Sequence, residues 1–346
     1  MGLALLLAGC VGDPIPPVGP PTRLAVYFGT DRAAFAATDL EDRYGAERGP
    51  LAYGLAEVSI PGGHEAGQIE SPSLISFEFS EQADRHVVLQ GIQPAPRAEF
   101  LAALQRNIRE TDNESVFIFV HGYNVAFAEA LRRTAQIAHD LDWRGTAILY
   151  SWPSHADTGS YGGDRENALW ATRDLQAFIE TVAVYSDAAK VHLIAHSMGN
   201  EPTLAALARL AQSTGFAGVP LLDEVVLAAP DVAADEFTAK IAQAAPTARR
   251  FTLYVSANDT ALYASSFVND KPRAGDSSGG VLVLPGVDTI DASAADSDLV
   301  GHSYYGESRA ILADVFALLK TGSPADRRAG LRAAQNDAGG YWVLAP

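Results

Sequence analysis

From Thr111 onward the chain alternates short continuous apolar runs with longer amphipathic stretches, and nothing else in the sequence restricts the fold as much. The runs at 116–120, 146–150, 191–195, 224–228, 251–256 and, last, 287–290 read as strands. The stretches at 126–141, 165–185, 200–212, 234–244 and 261–267 read as helices. A strand with no polar alternation must be covered on both faces. Strands of that kind separated by helices predict a mostly parallel central sheet with helices on both sides, an α/β architecture. A dinucleotide-binding fold shares this alternation, but no Gly-x-Gly-x-x-Gly follows the first strand-like run. Alternation therefore gives the class and not the chemistry.

The first hundred residues differ. Residues 24–28 read as a strand ended by Gly29-Thr30-Asp31, and 74–79 and 86–89 are two more strand-like pieces. This N-terminal portion is β-rich and rich in loops, and it closes at Pro94 to Pro96. Phe100, Leu101, Leu104 and Ile108 then recur at helical spacing over 99–109.

The extreme N-terminus carries a different signal. Leu3 to Leu7 are apolar, Ala8 and Gly9 are small, and Cys10 follows as the single cysteine, so no intramolecular disulfide can form. This order resembles a bacterial lipoprotein signal, with residues 1–9 as the signal, Cys10 as the lipidated residue and 10–22 as a proline-rich extended tether. An ordinary secretory signal with an incidental cysteine is the alternative. Only nine residues precede Cys10 and none is basic, which leaves room for a start upstream of Met1. The expectation is a lipid-anchored, secreted or periplasmic protein of the bacterial envelope, with 23–346 as one domain. The formal charge of −17 argues against a nucleic-acid partner. No apolar run reaches the ~18 residues of a spanning helix, so contact with a membrane would be through the lipid anchor alone.

The chemistry concentrates at Ala195-His196-Ser197-Met198-Gly199, between a strand-like run and a helix-like one. The nucleophile elbow is Gly-x-Ser-x-Gly, with small residues at −2 and +2 because the sharp turn leaves no room for side chains. Gly199 meets that need and Ala195 is the smallest departure from it. Ser197 is the candidate nucleophile, its hydroxyl expected to stand exposed above the sheet near a helix N-terminus. A helix-capping serine is the bland alternative. A serine needs a base, and of eight histidines only His302 follows Ser197. In this fold the order is serine, acid, histidine. Asp259, after the penultimate strand-like run, is the preferred acid; Asp231 is the alternative, with capping of the next helix as its structural role. The oxyanion hole takes the backbone amide of Met198 and that of Tyr123, which follows His121-Gly122 at the end of an earlier strand. His121 reads as a loop brace and not a second base. His121, Gly122, Trp152 and His196 are pocket candidates. Residues 151–170, with Trp152, Tyr161 and Trp170 among glycines, read equally as a pocket cover or as a surface loop.

Six segments, 119–124, 150–154, 195–200, 228–232, 254–259 and 301–304, together resemble a bacterial group of α/β-hydrolases long catalogued as a domain of unknown function, number 900. The resemblance implies the α/β-hydrolase fold, the hydrolase class and esterase activity, and supplies no physiological substrate. The reading is a serine esterase acting on a small-molecule or lipid-like ester of short or medium acyl length, with no cofactor and no metal. Amide or thioester hydrolysis by the same residues, and a non-catalytic envelope-binding lipoprotein, are the competing functions.

Overall fold

The computed structural model describes residues 19–72, 80–213, 215, 218–295 and 308–345. His302, Cys10, the signal and most of the tether, and the strand expected at 74–79 lie outside these residues. Among the described residues no helix is long and apolar enough to cross a membrane.

Eleven strands form one sheet: β1 (Thr22–Ala34), β2 (Tyr44–Ile60), β3 (Val88–Ala95), β4 (Ser115–Val120), β5 (Thr146–Ser151), β6 (Lys190–His196), β7 (Leu222–Ala228), β8 (Ala248–Val255), β9 (Val287–Asp291), β10 (Leu331–Asn336) and β11 (Gly339–Leu344). Their spatial order is β10-β11-β9-β8-β7-β6-β4-β5-β1-β2-β3. From β11 through β1 every neighbouring pair is parallel. β2 and β3 add an antiparallel margin at one end, and β10 does so at the other. The α/β architecture anticipated from the alternation, a mostly parallel sheet with helices on both sides and a β-rich N-terminal portion, is the one observed.

Both faces are packed, and β4 shows why its sequence is apolar from Val116 to Val120. Phe117 and Phe119 enter the core under helices α2 (Phe127–Asp140) and α8 (Arg309–Thr321). Val116, Ile118 and Val120 enter the opposite core with α1 (Arg97–Glu110), α4 (Thr172–Tyr185), α5 (Asn200–Ala211) and α6 (Ala234–Ala244). Period-two alternation between two dry layers leaves no polar position. The remaining helices are α3 (Tyr161–Trp170) and α7 (Thr260–Asn269).

Four boundaries differ from expectation. β1 does not end at Gly29-Thr30-Asp31 but runs on to Ala34, paired with the long β2. The third N-terminal strand begins at Val88 and extends beyond 89, with Pro94 tolerated because β3 is an edge. The single helix expected over 165–185 is two helices that meet at Ala171. The strand at 287–291 is not the last, because the β10–β11 hairpin follows it.

The topology also locates the site. β4 is flanked by β5 on one side and β6 on the other, so the loops leaving the C-terminal ends of β4 and β6 diverge there. Such a divergence opens a crevice at the carboxyl edge of a parallel sheet, where ligands bind. Ser197 follows β6, and His121-Gly122-Tyr123 follow β4.

Candidate active site

Ser197 opens a short 3-10 turn (Ser197–Gly199) between β6 and α5. Its φ is +51°, in the left-handed region that costs a residue with a Cβ about 1–2 kcal/mol. The surroundings hold it there. Asn200 Nδ2 donates to Ser197 O at 2.9 Å and to Ala228 O at 3.2 Å, and the Asp231 amide donates to the same Ser197 carbonyl at 3.2 Å. Asn200 is fully buried, so the elbow is tied to the end of β7 from inside. Two glycines permit the close approach. A Cβ on Gly199 would lie 2.3 Å from the His121 carbonyl oxygen, and one on Gly122 would lie 2.8 Å from His196 Nδ1 and 2.9 Å from Ser197 Cβ. The β4 loop and the elbow therefore touch backbone to backbone. Ser197 itself is buried, which corrects the expectation of an exposed hydroxyl.

The β4 loop rests on a charge the sequence did not advertise. Arg32 is buried, and its guanidinium donates to Val125 O at 2.7 Å, Ser154 O at 2.9 Å, Gly45 O at 3.0 Å and Ser151 Oγ at 2.9 Å. Burial, partly offset by nearby carboxylates, pushes its pKa down to about 10, still cationic at neutral pH. His121 stacks on Trp152, with ring centroids 4.9 Å apart. Its Nδ1 donates to Gly122 O at 2.8 Å and its Nε2 meets Ser151 Oγ at 3.0 Å. Burial and then the Arg32 charge push His121 down to about 3, so it stays neutral and occupied as a brace. Trp152 Nε1 donates to His121 O at 2.8 Å from a fully buried position, so Trp152 underlies the loop and is not a described lining residue of the cleft.

Asp164 completes the support from α3. It accepts from Ser154 Oγ at 2.6 Å, the His155 amide at 2.7 Å and the Asn124 amide at 3.1 Å, and Ser154 Oγ accepts from the Val125 amide at 3.0 Å. With the amides of Asn124 and Val125 taken, that of Tyr123 carries no such bond among the described residues. The Tyr123 hydroxyl donates to Thr158 O at 2.5 Å, anchoring the loop to the segment before α3. Residues 151–170 thus divide. Residues 151–154 are buried bracing, 155–160 are a mostly exposed loop, and α3 follows.

The two acids have opposite environments to those expected. Asp231 does not cap α6, whose N-cap is Ala233 without a side-chain bond. Its carboxylate accepts from Tyr161 Oη at 2.9 Å and Ser265 Oγ at 2.5 Å, and faces Arg273 Nε at 3.2 Å. Asp259 is the capping residue: its Oδ1 accepts from the Leu262 amide at 2.9 Å at the start of α7. Both acids are buried at the carboxyl edge of the sheet.

A cleft of about 620 Å³ opens against the β4 loop, with His121, Gly122, Tyr123, His196 and Ala261 along its wall and Arg132 paired to Glu41 and Glu81 at its side. A larger depression of about 790 Å³ lies beyond α7, among Tyr263, Lys271, Val281 and Asn336, and none of the candidate residues lines it. No metal-ligating cluster adjoins the elbow among the described residues.

A family model described as "Alpha/beta hydrolase of unknown function (DUF900)" matches residues 97–320. Curated proteins return no match. Among solved structures, Aspergillus fumigatus lipase B aligns with a TM-score of 0.40 at 12% identity, over 62% of this chain and 54% of the lipase. The chain thus spans about half the length of that protein. An acetyl xylan esterase, solved as an iodinated complex, aligns with a TM-score of 0.35 at 11% identity, over 60% of this chain and 97% of the esterase.

Proposed function

The chain belongs to the DUF900 family of α/β-hydrolases, and from that premise we propose that it is a serine esterase that cleaves carboxylic esters of short or medium acyl length through an acyl-enzyme. The observation that carries the reading is Ser197, a non-glycine residue in the left-handed region at the strand-to-helix turn, beside the crevice where the sheet order diverges.

In this mechanism Ser197 Oγ attacks the ester carbonyl carbon while His302 accepts its proton. The amides of Met198 and Tyr123 receive the carbonyl oxygen as it becomes an oxyanion, and the N-terminus of α5 favours the same charge. Collapse breaks the carbon–oxygen bond to the alcohol, which leaves with the proton from His302. Water then repeats the attack on the acyl-enzyme, releasing the acid and restoring Ser197. Asp259 holds the imidazole tautomer and supports its cation. Asp231 is better suited to structure, since Tyr161, Ser265 and Arg273 already converge on it.

A fluorophosphonate probe followed by peptide mass spectrometry tests the nucleophile. Covalent mass should appear on Ser197 and disappear in Ser197→Ala, with loss of nitrophenyl-ester turnover. A folded wild-type protein that neither takes the probe nor hydrolyses any ester of a C2–C12 panel would favour the non-catalytic envelope-binding reading. The proposal extends to location: lipidation of Cys10 would hold the enzyme at the bacterial envelope. Incorporation of a palmitate analogue should be lost in Cys10→Ser.

A further inference from the structure

At the C-terminal end of α2, about 20 Å along that helix from the β4 loop, three potential ligand side chains converge. His64, from the loop that follows β2, directs Nε2 to Asp140 Oδ1 at 2.8 Å, and its Nδ1 faces Glu70 Oε2 at 2.9 Å. His139, in the last turn of α2, has its Nδ1 3.6 Å from the same Asp140 oxygen, and the two imidazoles meet edge to face at 5.0 Å. One ligand atom from each of His64, His139 and Asp140 lies within 4.8 Å of the other two. Asp140 is further held by the Gly67 amide at 2.6 Å and by Gln136.

We propose that His64 Nε2, His139 Nδ1 and Asp140 Oδ1 bind one divalent transition metal ion of the zinc class. Two facts distinguish this from an ordinary ion pair. First, a proton shared between His64 and Asp140 accounts for that contact but leaves His139 Nδ1 buried with no hydrogen-bond partner. A metal would satisfy all three atoms together. Tetrahedral zinc, with bonds near 2.0–2.2 Å, sets its ligand atoms roughly 3.2–3.5 Å apart, and the spacings of 2.8 and 3.6 Å bracket that range. Secondly, the outer shell is built. Glu70 takes the distal nitrogen of His64, the carboxylate–histidine arrangement that fixes the tautomer of a ligating imidazole. Two imidazoles and one carboxylate suit zinc, cobalt, nickel or copper, and not calcium or magnesium, which take oxygen cages. The ion would clip the segment 61–70 to the end of α2, with the fourth coordination position turned to solvent on the half-exposed His139 side.

The test uses the chelator-stripped full chain without affinity tag, titrated with zinc by calorimetry and with cobalt by visible absorption. One equivalent should bind, cobalt should give the intense spectrum of a tetrahedral site, and saturating zinc should raise the melting temperature. His139→Ala should fold with a melting temperature at most a few degrees below that of metal-free wild type, because the ring loses only a 3.6 Å contact with Asp140 and its edge-to-face packing on His64. It should bind zinc at least ~10-fold more weakly and lose the tetrahedral cobalt spectrum. Glu70→Gln should weaken binding by about 10–100-fold, as outer-shell changes do. Absence of stoichiometric zinc and cobalt binding to wild type overturns the proposal. So does binding that His139→Ala leaves unchanged, since the metal would then sit elsewhere. Ester turnover enters neither readout.

Discussion

Replacing Arg32 by methionine isolates what the buried guanidinium does. The side chain fits and the charge goes, leaving three backbone carbonyls, Gly45, Val125 and Ser154, without their donor. Each orphaned buried acceptor costs about 1–3 kcal/mol, so the gross loss is roughly 5 kcal/mol. Against this stands the burial of a cation, which pushes its pKa from 12.5 to about 10. At 1.36 kcal/mol per unit, that relief is on the order of 3 kcal/mol. The net expectation is about 2–3 kcal/mol of destabilisation, a fall of roughly 3–5 °C in melting temperature for a chain of 346 residues. Function should suffer more than stability. Val125 and Ser154 hold the loop that carries Tyr123, and a shift near 1 Å in such a loop can cost ~100-fold in turnover. Scanning fluorimetry and ester hydrolysis at a temperature where the variant stays folded measure the two effects. An Arg32→Met protein that melts within ~2 °C of wild type and keeps full turnover would refute the argument that this cation supports the loop.

The acids separate in a second pair of variants. Asp259→Asn keeps an oxygen for the α7 cap and should melt normally while losing about 10⁴-fold in kcat. Asp231→Asn strands the buried Arg273 and should cost about 3–5 kcal/mol, with turnover of the folded fraction largely intact; the reverse pattern would move the acid role to Asp231. Gly199→Ala drives a Cβ into the His121 carbonyl and should cost more than 1–3 kcal/mol of overpacking, visible as a lower melting temperature and as lost turnover. Asp31, whose buried carboxyl is pushed up to about 7 by desolvation, binds its proton more tightly folded than unfolded. Its contribution to stability is therefore greatest below pH 4 and declines as pH rises from 4 to 7, on the order of 4 kcal/mol in all. Asp31→Asn should raise the melting temperature at pH 8 and lose that advantage toward pH 4; an offset independent of pH would exclude this group.

What the sequence disclosed and what it hid follow one distinction. The parallel interior was legible because a doubly covered stretch such as Phe117 to Val120 is apolar at every position. The elbow was legible because Gly199 answers a contact with a neighbour only one strand away. The split at Ala171 was hidden, since the apolar spacing continues through Trp170 and Leu175 and no glycine or proline marks the break. The β10–β11 hairpin is short and half-exposed, and its residues Leu331–Asn336 offer too weak an alternation. Arg32 was hidden for another reason. Its partners are mainly backbone carbonyls at 45, 125 and 154, and an assembly from three distant segments has no spacing to read. The roles of Asp231 and Asp259 were likewise set by tertiary partners, Tyr161, Ser265 and Arg273 on one side and the Leu262 amide on the other.

The two margins of the sheet bear on how molecules of this protein meet one another. The interior parallel strands are the apolar ones here, and an open parallel edge would offer a row of unpaired amides to any passing chain. Among the described residues, neither end of the sheet presents one. At one side β3 ends the ladder with Gln90, Gln93 and Pro94 exposed, and Pro94 has no amide to give. At the other, β10 is six residues long and exposes Arg332, Ala333, Gln335 and Asn336. Both margins of the sheet are therefore poor templates for the addition of a further strand.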